Sequence, residues 1–546
     1  MNVRFPAITT YLPDADEKAN PTAIYATLLA FTLATGMEQW TGNGLSVALT
    51  DLTGTIGSSA DEASWAVTVY STAFMFSVAL THRLASFFGN RRLLSLACLV
   101  YSITSLGCAG STSLLPFLCF RVLQGLAGGI FLARALVFVT HQFEGKKRAG
   151  SLRLYGAGFF LIGRFAAPIL SGWFADAVSW RCLFLANVPI MLASAWLFHR
   201  YAAHHWTDDV EEHRPDLLGI ALLLIGVTTL QTLLSRGEID DWFGSSRIVW
   251  LATIAIASNL LFVAWEFAPF NHQPLLHLHR LHDRGLLSAA VLGVILGMLL
   301  GGSLYVLPQY LRRVESHSAL QTGMLMSISG IAGIVVLCLI PQVASAIMKL
   351  GGKVVMSFAL LVEMVSMGWL GHIITGDTPD RNLWVPLVLN GIFVGISVPT
   401  LALAAFIRMD EKHVSSARAV YYSARQVGAS LGVTAVVVLI DRRATLHSSR
   451  LIESLFSRDL SIAGVAIDPS NARRFASLIT KQSMVLTFAD IFYAMAVLAA
   501  LMLLLLPLLP SRIAAKPGRA LPEGEIFPSK FPPIEAAHAC VRESTL

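Results

Sequence analysis

Long apolar runs alternate with short polar breaks along most of the chain. A hydrocarbon core about 30 Å thick is crossed by about 20 residues of helix. Fourteen stretches meet that length: 22–49, 62–82, 91–110, 113–140, 149–172, 181–201, 216–235, 247–268, 285–308, 320–343, 354–375, 383–407, 414–440 and 484–508. The first and thirteenth both contain charged or polar residues. The pattern predicts an all-α membrane protein with two six-helix halves, 22–201 and 285–508, around two central extra helices at 216–268. Tails are expected at 1–21 and 509–546, and a long loop at 441–483. The segment His82 to Arg92 after the second helix has a faint echo at Ala344 to Lys353, at the same place in the later half. Duplicated halves around a central site are a transporter arrangement.

Composition narrows the class. Of 546 residues, 55% are hydrophobic and 14% charged, against about 25% charged in soluble domains. So little charge could not cover the surface of a string of soluble domains. The formal charge of +6 is scattered in short clusters between apolar runs, which argues against nucleic acid as a partner. Lys and Arg collect in alternate loops: Arg83, Arg91 and Arg92; Lys146, Lys147, Arg148 and Arg153; Arg408, Lys412 and Arg418. By the positive-inside rule these loops and both termini are cytoplasmic. The basic loop 441–483 then falls outside, where its length exempts it. Cys98, Cys108, Cys119, Cys182 and Cys338 lie in or beside apolar segments and Cys540 in the tail, a spacing that suggests neither a disulfide framework nor a metal site. No cleavable signal peptide is visible in the first twenty residues, which include Asp14, Asp16 and Glu17.

Ionisable groups at membrane depth are expensive, so each needs a reason. Glu38 lies mid-way along the first segment. An acid in apolar surroundings can load and release a proton near neutral pH, and the alternative is a carboxylate held permanently by an arginine. Arg121, Gln124, Gly125 and Gly128 share one helical face of the fourth segment, whose glycines admit a neighbouring backbone. Arg121 there could bias the ionisation of a nearby acid or snorkel to an interface. In the fifth segment Gly163, Ala167 and Ser171 form a small-residue stripe, Pro168 predicts a bend, and Gly172 follows. Arg164 is a second cation, for an anionic substrate, a second acid or the interface. Glu363 is as open to a structural role as to coupling. Arg425, Gln426 and Asp490 read as packing or gate groups. Trp40, Tyr305, Met298 and Phe393 suit a core more often than a pocket, although a lipophilic cavity would use such side chains. No catalytic cluster and no GxxxxGK[ST] loop is present, so neither an enzyme nor an ATP-driven pump is indicated. The histidines His272, His277, His279 and His282 read as interfacial and not as a metal site.

These segments resemble the major facilitator superfamily, in particular its fourteen-helix drug:proton antiporters of the EmrB/QacA type. Arg121-x-x-Gln124-Gly125 looks like that family's fourth-helix motif, whose arginine is implicated in proton coupling. Gly163 through Gly172 resembles the antiporter motif GxxxGPxxGG, with Ala167 and Ser171 replacing two glycines. Ser179 to Pro189, Leu307 to Leu311 and Ser318 to Gly323 are also similar, as is the long loop before the last helix. The cytoplasmic gate motif GxLaDrxGrr keeps Gly89, Arg91 and Arg92 but has His82 for its first glycine and Ser86 for its acid. The first-helix acid of the family falls at Thr41, one turn after Glu38. The resemblance implies a major facilitator fold and multidrug efflux of lipophilic compounds driven by the proton gradient, with no cofactor. Glu38, which does not match the family's acid position and is not carried over from it, would with Arg121 serve the proton, and Arg164, Gln124, Trp40, Tyr305 and Glu363 would surround substrate. It implies a bacterial cytoplasmic (inner) membrane location, with a periplasmic adaptor and outer-membrane channel as partners beside substrate, protons and the lipid bilayer. A proton-coupled transporter of a specific anionic metabolite is the alternative, and a non-transporting polytopic protein a more distant one.

Overall fold

The computed structural model describes residues 21–143, 145–203, 216–237, 240–268, 271, 284–339, 351–406, 414–457 and 469–509. These residues are helical, with no strand among them. The expected histidine group at 272–282, the tails at 1–20 and 510–546 with Cys540, and Lys349, Arg408 and Lys412 lie outside the described residues.

The first half runs through α1 (Pro21–Ile56), α2 (Ala60–Phe88), α3 (Asn90–Gly110) and α4 (Leu114–Gln142). It continues through α5 (Gly145–Phe160), a π-helical stretch Leu161–Ala166, α6 (Ala167–Ala177), α7 (Arg181–Leu185) and α8 (Asn187–Tyr201). The central pair is α9 (Leu217–Arg236) and α10 (Ser246–Glu266). The second half comprises α11 (Arg284–Arg313), α12 (Ala319–Cys338), α13 (Gly352–Ile373), α14 (Asp380–Phe406), α15 (Val414–Ser457) and α16 (Pro469–Leu505).

Twelve spans in the described residues are long and apolar enough to cross a membrane. The thirteenth expected segment is among them, as Val420–Ser454. Helices α1 and α2 are not, although they are 36 and 29 residues long. The polarity of α1 has a local cause. Thr27, Thr32, Thr35, Glu38, Thr41 and Asn43 of α1 are all buried inside the first half, where lipid does not meet them. The segment 441–483 differs from the expected loop. Helix α15 continues to Ser457 and α16 begins at Pro469. No glycine or proline interrupts the chain between Gly432 and Gly464, so nothing stops the helix at the membrane surface. The 44 residues of α15 span about 66 Å, twice the bilayer core.

The sequence echo has a structural counterpart. Gly89 and Gly351, each just before the third long helix of its half, have φ of 74° and 92°. A side chain is strained there, so both positions suit glycine.

The halves meet along α6 and α12. Pro168 has no N–H to return to the carbonyl of Arg164, four residues earlier, and the helix widens into the π turn just before it. The freed carbonyl lies against Gly330 of α12, where an added Cβ would sit 2.6 Å from it. Further along, Gly323 faces the Pro168 carbonyl and Gly172 faces the carbonyl of Ala319, both too close for a Cβ. This seam ends in two polar ties. Asp176 accepts hydrogen bonds from the backbone N–H groups of Ala319 and Leu320 at the start of α12 (3.1 and 2.8 Å), a favourable place for a negative charge. Asp51 pairs with Arg312 at 3.1 Å.

The central pair braces the flank where α2 meets α15. Phe262 of α10 is packed with Leu80 of α2, Val420 of α15, and Ile220, Leu222 and Leu223 of α9. Gln231 of α9 bonds to Ser430 of α15.

Candidate functional site

The polar groups of the first half form one buried network around the middle of α1. Glu38, at 5% exposure, accepts hydrogen bonds from the Gln39 amide (2.7 Å) and the Tyr70 hydroxyl (3.0 Å). The Arg121 guanidinium lies over the Tyr70 ring, 4.1 Å from its centroid. Its remaining contacts are directed elsewhere: Nε donates to the Ala66 carbonyl (3.1 Å) and Nη1 to Gln124 Oε1 (2.7 Å). The Gln124 amide donates to Ser105 Oγ (2.8 Å), and Asn187 Nδ2 reaches both Ser105 (3.3 Å) and Thr41 (3.0 Å). Tyr101 donates to Thr41 at 3.0 Å. Five helices, α1, α2, α3, α4 and α8, thus contribute to one chain of contacts. The fields of Arg121 and, from the second half, Arg425 both reach Glu38.

The glycines after Arg121 make this arrangement possible. A Cβ at Gly125 would run into the Tyr70 carbonyl, and one at Gly128 would lie 2.8 Å from the Tyr70 hydroxyl and 3.4 Å from Glu38 Cγ. The close approach of backbones expected from this face is therefore that of α2, and it seats a tyrosine between the acid and the arginine. Sequence reasoning missed Tyr70. One signal pointed to it: a run of glycines beside a buried arginine needs a partner large enough to fill the space.

Thr41, at the position of the family's first-helix acid, is fully buried and bonded to Tyr101 and Asn187. Glu38, one turn away, holds the carboxylate of this helix.

Of the residues expected around substrate, Arg164 and Tyr305 remain partly exposed. Gln124, Trp40 and Glu363 are buried and committed, so their polar atoms do not face an open space. Gln124 belongs to the network above. Trp40 donates its indole N–H to the Leu183 carbonyl at 3.0 Å and ties α1 to α7. Glu363 is fully buried between α13 and α14, where both its oxygens accept from the Asn390 amide at 3.1 Å. The field of Glu363 reaches Arg164, but no ion pair joins them among the described residues. Gly163 is buried against Gln39, next to Glu38, and the adjoining Asn43 donates to the Gly163 carbonyl at 2.6 Å. Pro168 and Gly172 lie on the seam between the halves.

At the far end of α2, Gly89 makes the turn into α3 and Arg91 donates to the His199 carbonyl. Arg92 is exposed. Ser86, in the place of the motif's acid, donates to the Arg83 carbonyl (2.8 Å) and so turns back on its own helix. The carboxylates whose fields reach Arg83 come instead from the central pair, as Asp216 and Glu266. Asp216 caps α9 and accepts the indole N–H of Trp265 at 2.9 Å. Asp490 accepts from His447 (2.9 Å) and pairs with Arg443 (3.3 Å) between α15 and α16. No group of three or more His, Cys, Asp or Glu able to hold a metal occurs among the described residues.

Comparison with known proteins bears on this geometry. The Major Facilitator Superfamily model matches residues 28–433. The multidrug export protein EmrB of Escherichia coli (strain K12) is 26% identical over 474 residues, covering 85% of this chain and 91% of that protein. The probable multidrug resistance protein EmrY of the same organism is 27% identical over 434 residues, covering 79% and 83%. Among solved structures, the peptide transporter POT in complex with sulfate superposes with a TM-score of 0.59 at 15% identity, covering 91% of this chain and 96% of that one. That likeness shows the fold: two facilitator halves, here with a helix pair between them. The chain is a multi-pass membrane transport protein and not an enzyme; it belongs to the Major Facilitator Superfamily, and EmrB and EmrY are among its relatives.

Proposed function

We propose that this protein exports lipophilic compounds across a bacterial cytoplasmic membrane in exchange for protons, by alternating access of a site between its halves. The observation that carries the reading is Glu38: a carboxylate in the middle of α1, buried, held by neutral partners and within reach of two arginine charges. Such a group changes charge when it takes a proton, and a change of charge at membrane depth is large enough to bias a conformational equilibrium. The relatives, a multidrug export protein and a probable multidrug resistance protein, support efflux as the direction. The energy source is the proton gradient, with no cofactor.

In this reading the chain crosses the membrane fourteen times, α1 and α2 included, with both termini cytoplasmic. The Lys and Arg clusters in alternate loops support that orientation. The Asp51–Arg312 and Asp176–α12 ties then lie at the outer end, so the structure corresponds to an outward-closed state. An adaptor and an outer-membrane channel complete the export path. Co-purification of the full chain with an adaptor from the native membrane tests that part.

The central test uses inverted vesicles with a fluorescent ΔpH reporter and a panel of lipophilic dyes. Glu38→Gln is expected to abolish dye-dependent proton release, while Glu38→Asp retains part of it. Undiminished release in Glu38→Gln would sink the assignment. Arg164, partly exposed and without an ion pair among the described residues, favours one second reading: a specific anionic metabolite as substrate. Counterflow with organic anions set against cationic dyes separates the two.

A further inference from the structure

We infer that Tyr70 is the positioning residue that sets the protonation of Glu38, joining the acid to Arg121 through one side chain in place of a direct salt bridge. The inference rests on the proposed role of Glu38 and adds a residue to that site.

Three observations carry it. First, no ion pair joins Glu38 to Arg121 among the described residues, although both are buried in the same network. The arginine's donors are turned to the Ala66 carbonyl and to Gln124, and its cationic face lies on the Tyr70 ring. Second, the Tyr70 hydroxyl donates directly to Glu38 Oε1 at 3.0 Å. A hydrogen bond to a carboxylate favours its charged form, and a cation over the ring face is attracted by the ring. Third, Tyr70 occupies a slot that the sequence of α4 leaves for it. Gly125 admits its backbone and Gly128 its hydroxyl. Arg121, Gly125 and Gly128 stand one turn apart along one face, so the arginine and the slot are parts of one surface.

This arrangement has a chemical consequence. A direct pair of carboxylate and guanidinium would hold Glu38 charged and make it a poor proton carrier. Interposing a phenol keeps the arginine's charge at one remove and leaves a single neutral hydrogen bond, together with that of Gln39, to be given up when the proton arrives. Of the other titratable or charged groups, Arg425 on α15 has a field that reaches Glu38, and the field of Glu38 reaches Tyr101 on α3 and Tyr155 on α5. None of these donates a hydrogen bond to it among the described contacts.

The test reads Glu38 itself and needs no substrate. The full-length protein, reconstituted in lipid, is titrated by infrared difference spectroscopy, and the Glu38 carboxyl band is identified by its loss in Glu38→Gln. Tyr70→Phe keeps the ring under Arg121 and removes only the hydroxyl. The band's midpoint is then expected to move to higher pH by about one unit, the scale of one hydrogen bond to a charged group. Gly128→Ala, which crowds the hydroxyl without changing any group that titrates, should move it the same way by less. Tyr101→Phe removes a phenol of the same network that bonds to Thr41 and not to Glu38, and should move the midpoint by much less. A midpoint unmoved in Tyr70→Phe, a band that does not titrate in the wild type, or an equal shift in Tyr101→Phe would each overturn the inference. The outcome is separable from that of the transport reading. If the midpoint moves while Glu38→Gln still couples dye to protons, Tyr70 keeps its role and the exporter mechanism falls.

Discussion

The two deep acids of the molecule differ in company more than in depth. Glu38 and Glu363 are both buried on long helices, one in each half. Glu363 meets a single neutral partner, Asn390, which satisfies both its oxygens in a closed pair. Glu38 is held by two groups from two helices, and a chain of contacts continues from Tyr70 through Arg121 to Gln124, Ser105 and Asn187. A closed pair can be conserved in energy while the rest of the protein moves; an open network feels any shift of the helices that build it. The position of an acid in the membrane therefore says that it needs a reason, and its neighbours say which.

Substitutions can break or sharpen this contrast. The largest effect is expected from Glu38→Gln, which should reduce proton-coupled transport in inverted vesicles to the level of vesicles without the protein. Glu363→Gln, which keeps one carbonyl acceptor for Asn390, should retain most of the flux. Equal losses would erase the distinction. Next, Arg121→Lys keeps the charge but cannot serve Ala66 and Gln124 together. Losing a charge-assisted hydrogen bond costs about 1.5–3 kcal/mol, so a drop in transport rate of about tenfold or more follows. Glu363→Ala leaves the Asn390 amide unpaired and should lower stability by about 1–3 kcal/mol. Thermal unfolding in detergent checks this, with the flux per folded molecule little changed. The smallest effect belongs to Asp51→Asn. The Asp51–Arg312 pair is partly exposed and is worth about 0.5–1 kcal/mol. Its loss should raise the labelling rate of Tyr305→Cys by an impermeant thiol reagent by about two- to fivefold.

Much of the fold was legible in the sequence because the bilayer imposes length and apolarity on each helix. The stretches that became α3, α4 and α9 through α14 are long, apolar and bounded by polar breaks. Reading failed where another constraint replaced lipid. The polarity of α1 reflects burial inside its own half. The segment 441–483 reads as a loop because it lies between two apolar stretches, yet with no helix breaker before Gly464 helix α15 runs on to Ser457. For the site, Glu38, Arg121 and Gln124 stood out because charge and amide groups are rare in apolar helices. Tyr70 did not, since one tyrosine among the aromatics of a membrane helix looks like packing. Asn390 pairs with Glu363 from another helix, and no local pattern announces such a partner. Trp40 was read toward the cavity, but its indole N–H had a carbonyl to satisfy on α7.

The seam between the halves is built from main-chain carbonyls of α6 and its π turn lying on glycines of α12, with Gly172 answering from the other side. These close contacts are between main-chain atoms, which carry no net charge for salt to screen. Sliding there is governed by shape, and the salt sensitivity of closure is concentrated at the end of the seam, in Asp176 and Asp51. A seam of this kind works like a dry bearing with an ionic catch. High salt would loosen the catch and leave the bearing untouched, so conditions that ease opening need not weaken the register in which the halves come back together.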